Sequence, residues 1–310
     1  MIKKAFRRLV LAVIVISMLH QGICAFGGET QGDRGPAFFQ IHFSPAAVRQ
    51  GDIITVKVNG PAGLTLLKGE FKNSPVFFDK KGTGEFTGLI GIDMTLSPGK
   101  HHLFLEGNLN GKEIKDNIRF YVEGRKYAVE KLTFPGKLVE LDKETEERAE
   151  REAAILKSLW KEASSERLWS EAFSLPVDGN TKPNFGRRRI LNGKEKSPHN
   201  GIDISAPEGK AVVSPNRGKV VLVGNHFFGG NTVVIDHGHG LFTAYLHLSE
   251  ISVKEGKIVE KGEPIGKVGE TGRSKGPHLH WSARLHDARV DPLKLLDLNH
   301  EEAPRASRVE

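Results

Sequence analysis

The stretch His278-Leu279-His280-Trp281-Ser282-Ala283-Arg284-Leu285 alternates polar and apolar residues along its whole length. A strand turns successive side chains to opposite faces, so Leu279, Trp281, Ala283 and Leu285 can fill a core while His278, His280, Ser282 and Arg284 stand together on the other side. Two imidazoles on one strand face can offer nitrogens to a single pocket, and an apolar core has little use for them. The same period in residues 242–247 places Thr243, Tyr245 and His247 on one face against Phe242, Ala244 and Leu246. Tyr245 could then hydrogen-bond a reacting group or simply pack as a strand aromatic.

Around these two segments lie further short apolar runs at 218–223, 231–236 and 263–268, separated by Gly, Pro and Asn and without intervening helices. Strands at that spacing predict an all-β sandwich or partly open barrel over residues 175–298. Upstream, residues 36–125 also alternate over short stretches broken by turn residues, which predicts an N-terminal β-sandwich of Ig-like kind. Its adjacent pair His101 and His102 would face opposite sides of a strand and make a poor chelate. Between the two β regions, residues 140–173 are dense in Glu, Lys, Arg and Ala and lack Gly and Pro. They predict a helical linker, with Ile155, Leu156, Leu159 and Trp160, then Leu168, Trp169 and Phe173, at helical spacing. Such stripes pack on a neighbouring domain or dock an envelope protein partner. Pro176 ends the helical pattern, and residues 299–310 form a polar tail.

Residues 1–25 read as a signal peptide. Lys3, Lys4, Arg7 and Arg8 precede an apolar run over 9–16, and Ile23-Cys24-Ala25 offers a cleavage site near Ala25. An uncleaved signal anchor is the other reading of the same run, although it is shorter than the roughly 20 residues of a spanning helix. Either way the chain is expected to be exported to the periplasm or cell envelope. Cys24 is the single cysteine and falls within that segment, so no disulfide holds the mature chain and no thiolate can ligate a metal. The four signal cations supply more than half of the formal charge of +7, and no basic and aromatic face suited to nucleic acid is present.

A metal site must therefore use His and Asp, and His199 and Asp203 in His-Asn-Gly-Ile-Asp join His247, His278 and His280 as its candidates. His237 and His239, in a Gly-rich turn, are left out, and His226, His286 and His300 read as solvated. The motifs NFGRR at 184–188, HNGIDISAPEGKAV at 199–212, NTVVIDHG at 231–238, TAYLHLS at 243–249, the hairpin sequence over 253–272 and GPHLHW at 276–281 resemble the lysostaphin-type, or LytM-type, zinc metallopeptidases. The resemblance covers residues 175–298. It implies an all-β domain of the duplicated hybrid motif kind and one zinc ion held by His199, Asp203 and His280. It further implies His247 and His278 as the catalytic pair, and peptide cross-links of peptidoglycan as substrate. Three such ligands leave a tetrahedral zinc one position for water. The chain has no HExxH motif, so a histidine has to take the proton that a glutamate takes in other zinc peptidases. Asn184 occupies a position from which some relatives block the metal. A noncatalytic wall-binding or amidase-activating module of the same fold, or a carrier domain, are the other functions this sequence could support. The full His and Asp set favours catalysis.

Overall fold

The computed structural model describes residues 38–162 and 164–298. The signal peptide of residues 1–25 and the tail of 299–310 lie outside the described residues. None of the described helices is long and apolar enough to cross a membrane.

The N-terminal part is two facing β-sheets. One runs Gln40–Ser44, Ile53–Asn59, Glu85–Gly91, Phe78–Gly82; the other runs Val48–Arg49, Lys112–Glu123, Gly99–Leu109, Leu64–Phe71, Ser74–Val76. Setting aside the two short strands 48–49 and 74–76, the first sheet holds strands one, two, five and four, and the second holds seven, six and three. That order supports the Ig-like reading. Alternation drives it: Val56, Val58, Leu103 and Val122 are fully buried between the sheets, and the polar residues between them face out. His101 turns inward to the Ser97 carbonyl (2.8 Å) while His102 turns outward to the Asn117 amide oxygen (2.7 Å), so the pair cannot share a ligand.

The helix spans Lys143–Leu159. Asp142 caps it by accepting from the Thr145 N–H (2.8 Å), and Glu144 and Glu146 complement the positive end of its dipole. Trp160 at its C-terminus is buried edge-on against Phe242 (5.3 Å between centroids), with the Arg284 guanidinium 5.1 Å from the indole ring. The helical pattern expected over 140–173 stops at 159. Ser164 folds back on Glu166, with its hydroxyl accepting from that residue's N–H (3.1 Å), and competes with helical hydrogen bonding. Beyond it the chain is held by its neighbours: Leu168 N–H donates to the His237 carbonyl (2.9 Å), and His239 N–H donates to the Ser164 carbonyl (2.7 Å). Trp169 and Phe173 enter the C-terminal core from this irregular segment.

The C-terminal part is built on a sheet in the order Asn180–Lys182, Gly201–Ser205, Leu279–Leu285, Leu241–Leu248, Gly230–Gly238, Gly218–His226, Ile258–Val259. Its two faces carry different cores. Ile202, Ile204, Val233, Ile235, Tyr245 and Trp281 form the main one, whereas Val234, Phe242 and Ala244 pack under Trp160 on the opposite face. A small sheet of Val129–Leu132, Arg188–Leu191 and Lys194–Lys196 stands beside it.

The two β parts pack closely. A Cβ on Gly91 would lie 2.8 Å from the Leu285 Cβ and 3.0 Å from the Ala288 Cβ. His286 is buried against Phe77 (5.8 Å) rather than solvated, because Phe77 and the turn at Gly240 cover it. Arg289 clamps Asp93 with both arms of its fork, at 2.9 Å from Nε and 2.8 Å from Nη2. Burial opposes ionisation of Asp93, but hydrogen bonds from Arg289 and Thr95 outweigh it and bring its pKa from 3.8 to about 2. A depressed carboxylate contributes stability that is complete above the unfolded pKa and lost as pH falls through the folded one. Asp93→Asn is therefore expected to lower unfolding stability by about 1–2 kcal/mol at pH 7. In urea titrations the gap to the unsubstituted protein should shrink between about pH 4 and pH 2; a gap independent of pH would refute the assignment.

Candidate metal centre

Strand register brings the ligand candidates together. Gly201–Ser205 pairs antiparallel with Leu279–Leu285 so that Asp203 lies directly opposite His280, with Ile202 opposite Trp281 on the core side. Gly201 has to lack a side chain, since a Cβ there would sit 2.7 Å from His280 Nε2 and against the Trp281 carbonyl. His199 enters from the turn just before this strand. The His199 Nε2, His280 Nδ1 and Asp203 Oδ1 atoms form a triangle with sides of 2.8, 3.0 and 3.2 Å. Tetrahedral bonds of about 2.0–2.2 Å to zinc separate ligand atoms by about 3.3–3.6 Å, so this slightly tighter triangle fits a single small cation. Among the described residues, these three form a group able to hold a metal ion.

The surroundings prepare the atoms as donors of electron pairs. The Asn184 carbonyl, 3.1 Å from His199 Nδ1, can only accept, so Nδ1 carries the proton and Nε2 keeps its lone pair. His280 is buried, and that burial pushes its pKa down to about 3, which keeps the ring neutral. Burial alone would raise the Asp203 pKa, but the adjoining His199 and His280 rings hold it well below the usual carboxylate range. Asn184 completes this support. Its amide nitrogen donates to Asp203 Oδ2 (2.8 Å), and its amide oxygen accepts from the Asp203 N–H (3.0 Å). The side chain thus fixes the carboxylate that faces the triangle, with both its polar atoms engaged on Asp203 rather than on the triangle.

His247 and His278 flank the triangle, with ring centroids 4.9 Å apart. His247 Nδ1 lies 2.8 Å from the Thr271 carbonyl and His278 Nδ1 2.8 Å from the Gly276 carbonyl, so each directs an unprotonated Nε2 elsewhere. For His278 that atom is 3.7 Å from Asp203 Oδ1. His247 reaches the site by an unforeseen route. Strict alternation would send it into the core with Tyr245, but its φ of 65° lies in the left-handed region and turns the side chain to the other face. Tyr245 itself is fully buried beside Trp281, bonded to the Thr243 hydroxyl (2.7 Å), and takes no part in the site. His237, buried and with its pKa pushed down to about 4, bridges the Arg217 carbonyl and Thr243. His239 packs on Phe77 and Trp169.

The triangle lies in a groove of about 1020 Å³. His247 and His278 line the same groove, and its far wall comes from the segment just after the sandwich. There Phe134 lies 5.0 Å from the Lys275 ammonium, and the Leu138 carbonyl accepts from Arg273 (3.2 Å). Nothing in the composition of residues 129–141 singles them out as a groove wall, because their role depends on parallel pairing with residues 188–191 far along the chain.

Comparison with known proteins places these features. Residues 197–292 match the model of peptidase family M23. A crystal structure of a candidate M23 peptidase from Pseudomonas aeruginosa superposes with a TM-score of 0.63 at 32% identity, over 80% of this chain and 94% of that one. The chain belongs to peptidase family M23. The superposition reaches well beyond the family match, so the part N-terminal to residue 175 shares in it. Among curated relatives, the peptidoglycan DD-endopeptidase ShyA of Vibrio cholerae is 43% identical over 122 residues, which is 38% of this chain and 28% of that protein. The DD-carboxypeptidase/endopeptidase Mpg of Neisseria meningitidis is 45% identical over 97 residues, 31% of this chain and 22% of that protein. The chain thus spans about a quarter of the length of the curated relatives it matches. Family membership and the His-Asp-His cluster together indicate a metal centre.

Removing the Asn184 support should loosen that centre. Asn184→Ala is expected to weaken metal binding about 10-fold or more, as loss of ligand-orienting partners generally does. Competition with a chromophoric chelator would measure it; tighter binding in the variant would show instead that Asn184 obstructs the metal.

Proposed function

We propose that this protein is a zinc-dependent endopeptidase that hydrolyses peptide cross-links of bacterial peptidoglycan in the cell envelope. The observation that carries this reading is the convergence, in one open groove, of a two-imidazole, one-carboxylate triangle with two more histidines that are not needed to complete it. Neutral imidazole and carboxylate are donors suited to zinc, and three protein ligands are the number found in catalytic rather than structural zinc sites. Bound zinc supplies Lewis-acid chemistry, polarising the scissile carbonyl and acidifying water.

The protein's own residues supply the rest. His199, Asp203 and His280 hold the cation, and Asn184 keeps Asp203 turned toward it. His247 and His278 manage protons. Burial and the neighbouring His278 push the His247 pKa down to about 4, which keeps the His247 ring neutral near pH 7. One neutral ring accepts the proton of the attacking water at Nε2; the imidazolium so formed steadies the tetrahedral oxyanion and protonates the departing amine. Thr271 and Gly276, through their carbonyls, keep both rings in the tautomer this requires. The retained set of five residues leaves the noncatalytic wall-binding reading without a feature to favour it. Export by the N-terminal segment would bring the protein to its substrate, and the outer face of the sandwich would offer a surface for an envelope partner.

Purified protein incubated with sacculi and zinc is expected to release uncross-linked muropeptides detectable by mass spectrometry, with activity lost to a chelator and restored by zinc. His280→Ala should lose both metal and activity. His247→Ala and His278→Ala should each keep a metal yet fall by about 10²-fold or more in kcat. Cleavage that persists after metal removal would sink the proposal.

A further inference from the structure

The chemistry above uses the triangle and its flanking histidines but leaves the side wall of the groove without a role. That wall is the small sheet of Val129–Leu132, Arg188–Leu191 and Lys194–Lys196. Its register sets Glu130, Arg189 and Lys196 in one row and Leu132, Leu191 and Lys194 in the next, and all six line the groove, as a period of two requires.

Arg189 stands apart in that set. Its side chain is only 24% exposed, and its buried Nε has no hydrogen-bond partner among the described residues. The carboxylate nearest to it, that of Glu130, remains 3.9 Å from Nε and is shared with Arg187 at 3.6 Å. Two other cations of the groove are engaged. Arg273 donates to the Leu138 carbonyl and stacks 4.1 Å from the Phe228 ring, and Lys194 pairs with Glu140 at 2.7 Å. Asp203 is committed to His199, His280 and Asn184. A largely desolvated guanidinium with unused donors is unfavourable on its own, and burial duly lowers its pKa. A planar anion accepting from its fork removes the deficit, and carboxylate matches that fork in two parallel bonds. The Arg189 charge also acts on Asp203 and on His247, which puts it within electrostatic reach of the reacting centre.

We infer that Arg189 determines specificity by anchoring a free carboxylate of the peptide substrate beside the scissile bond. Substrates are thus acidic peptides, and the same peptide with that carboxylate converted to carboxamide is a poor one. The inference rests on the peptidase reading and narrows its substrate class.

The test uses two muropeptide dimers identical except that the carboxylates flanking the cross-link are free in one and amidated in the other. For the unsubstituted, zinc-loaded protein, KM for the free-acid dimer is expected to be at least about tenfold lower. In Arg189→Gln that ratio collapses to about one, while Arg189→Lys, which keeps charge but not the fork, gives an intermediate ratio. Calorimetric binding of both dimers to metal-free protein reads the same discrimination without turnover, and metal content with thermal unfolding confirms that each variant is folded. A preference that survives in Arg189→Gln overturns the inference, as does absence of any preference in the unsubstituted protein. If the unsubstituted protein cleaves neither dimer yet binds them with the expected ratio, the peptidase reading fails and the carboxylate anchor stands.

Discussion

The pairing of residues 201–205 with residues 279–285 is the constraint on which the site depends. One register sets Asp203 opposite His280 and Ile202 opposite Trp281, so the same strand contacts that bury the core also close the His-Asp-His triangle. A shift of a single residue would exchange the faces of every side chain in the strand. It would drive a carboxylate into the core and leave an indole in the groove. Hydrophobic burial therefore enforces the ligand geometry, because the apolar partners of the register far outweigh any preference of the polar ones.

Much of this was legible in residues 278–285. Their alternation gave the core face and the functional face, and the structure keeps both: Leu279, Trp281, Ala283 and Leu285 are buried, and His280 meets His199 and Asp203. The same rule failed at 242–247. There the period of two correctly separates Phe242 and Ala244 from Thr243 and Tyr245, but a left-handed residue at His247 reverses the sense at the last position. Histidine is neither glycine nor asparagine, so no local signal announces such a backbone. Charge density and the lack of Gly and Pro predict a helix over 140–173, but the helix ends at 159, since the remaining segment finds its hydrogen bonds on the neighbouring hairpin. The wall strand at 129–132 was invisible for a different reason: its partner is separated from it by the whole linker, and its own residues are ordinary.

Electrostatics in the groove follows from how its charges are spent. The imidazoles of His199, His247 and His278 are each tied at Nδ1 to a main-chain carbonyl, which no side-chain change elsewhere can alter, so the tautomer is a property of the fold. Asn184 adds a side-chain contact of the same kind on Asp203. The sandwich is joined to this apparatus by a bidentate ion pair, Asp93 with Arg289, and by close apolar contact at Gly91.

The wall of the groove has one more property. Its strands are joined by main-chain hydrogen bonds, parallel on one side and antiparallel on the other, so the shape of the wall is fixed by backbone while the row of Glu130, Arg189 and Lys196 remains free to vary in chemistry. Shape and charge are thereby inherited separately. A lineage can exchange the residues of that row and so change the chemistry of the groove, without disturbing the strand pairing that forms the His-Asp-His triangle.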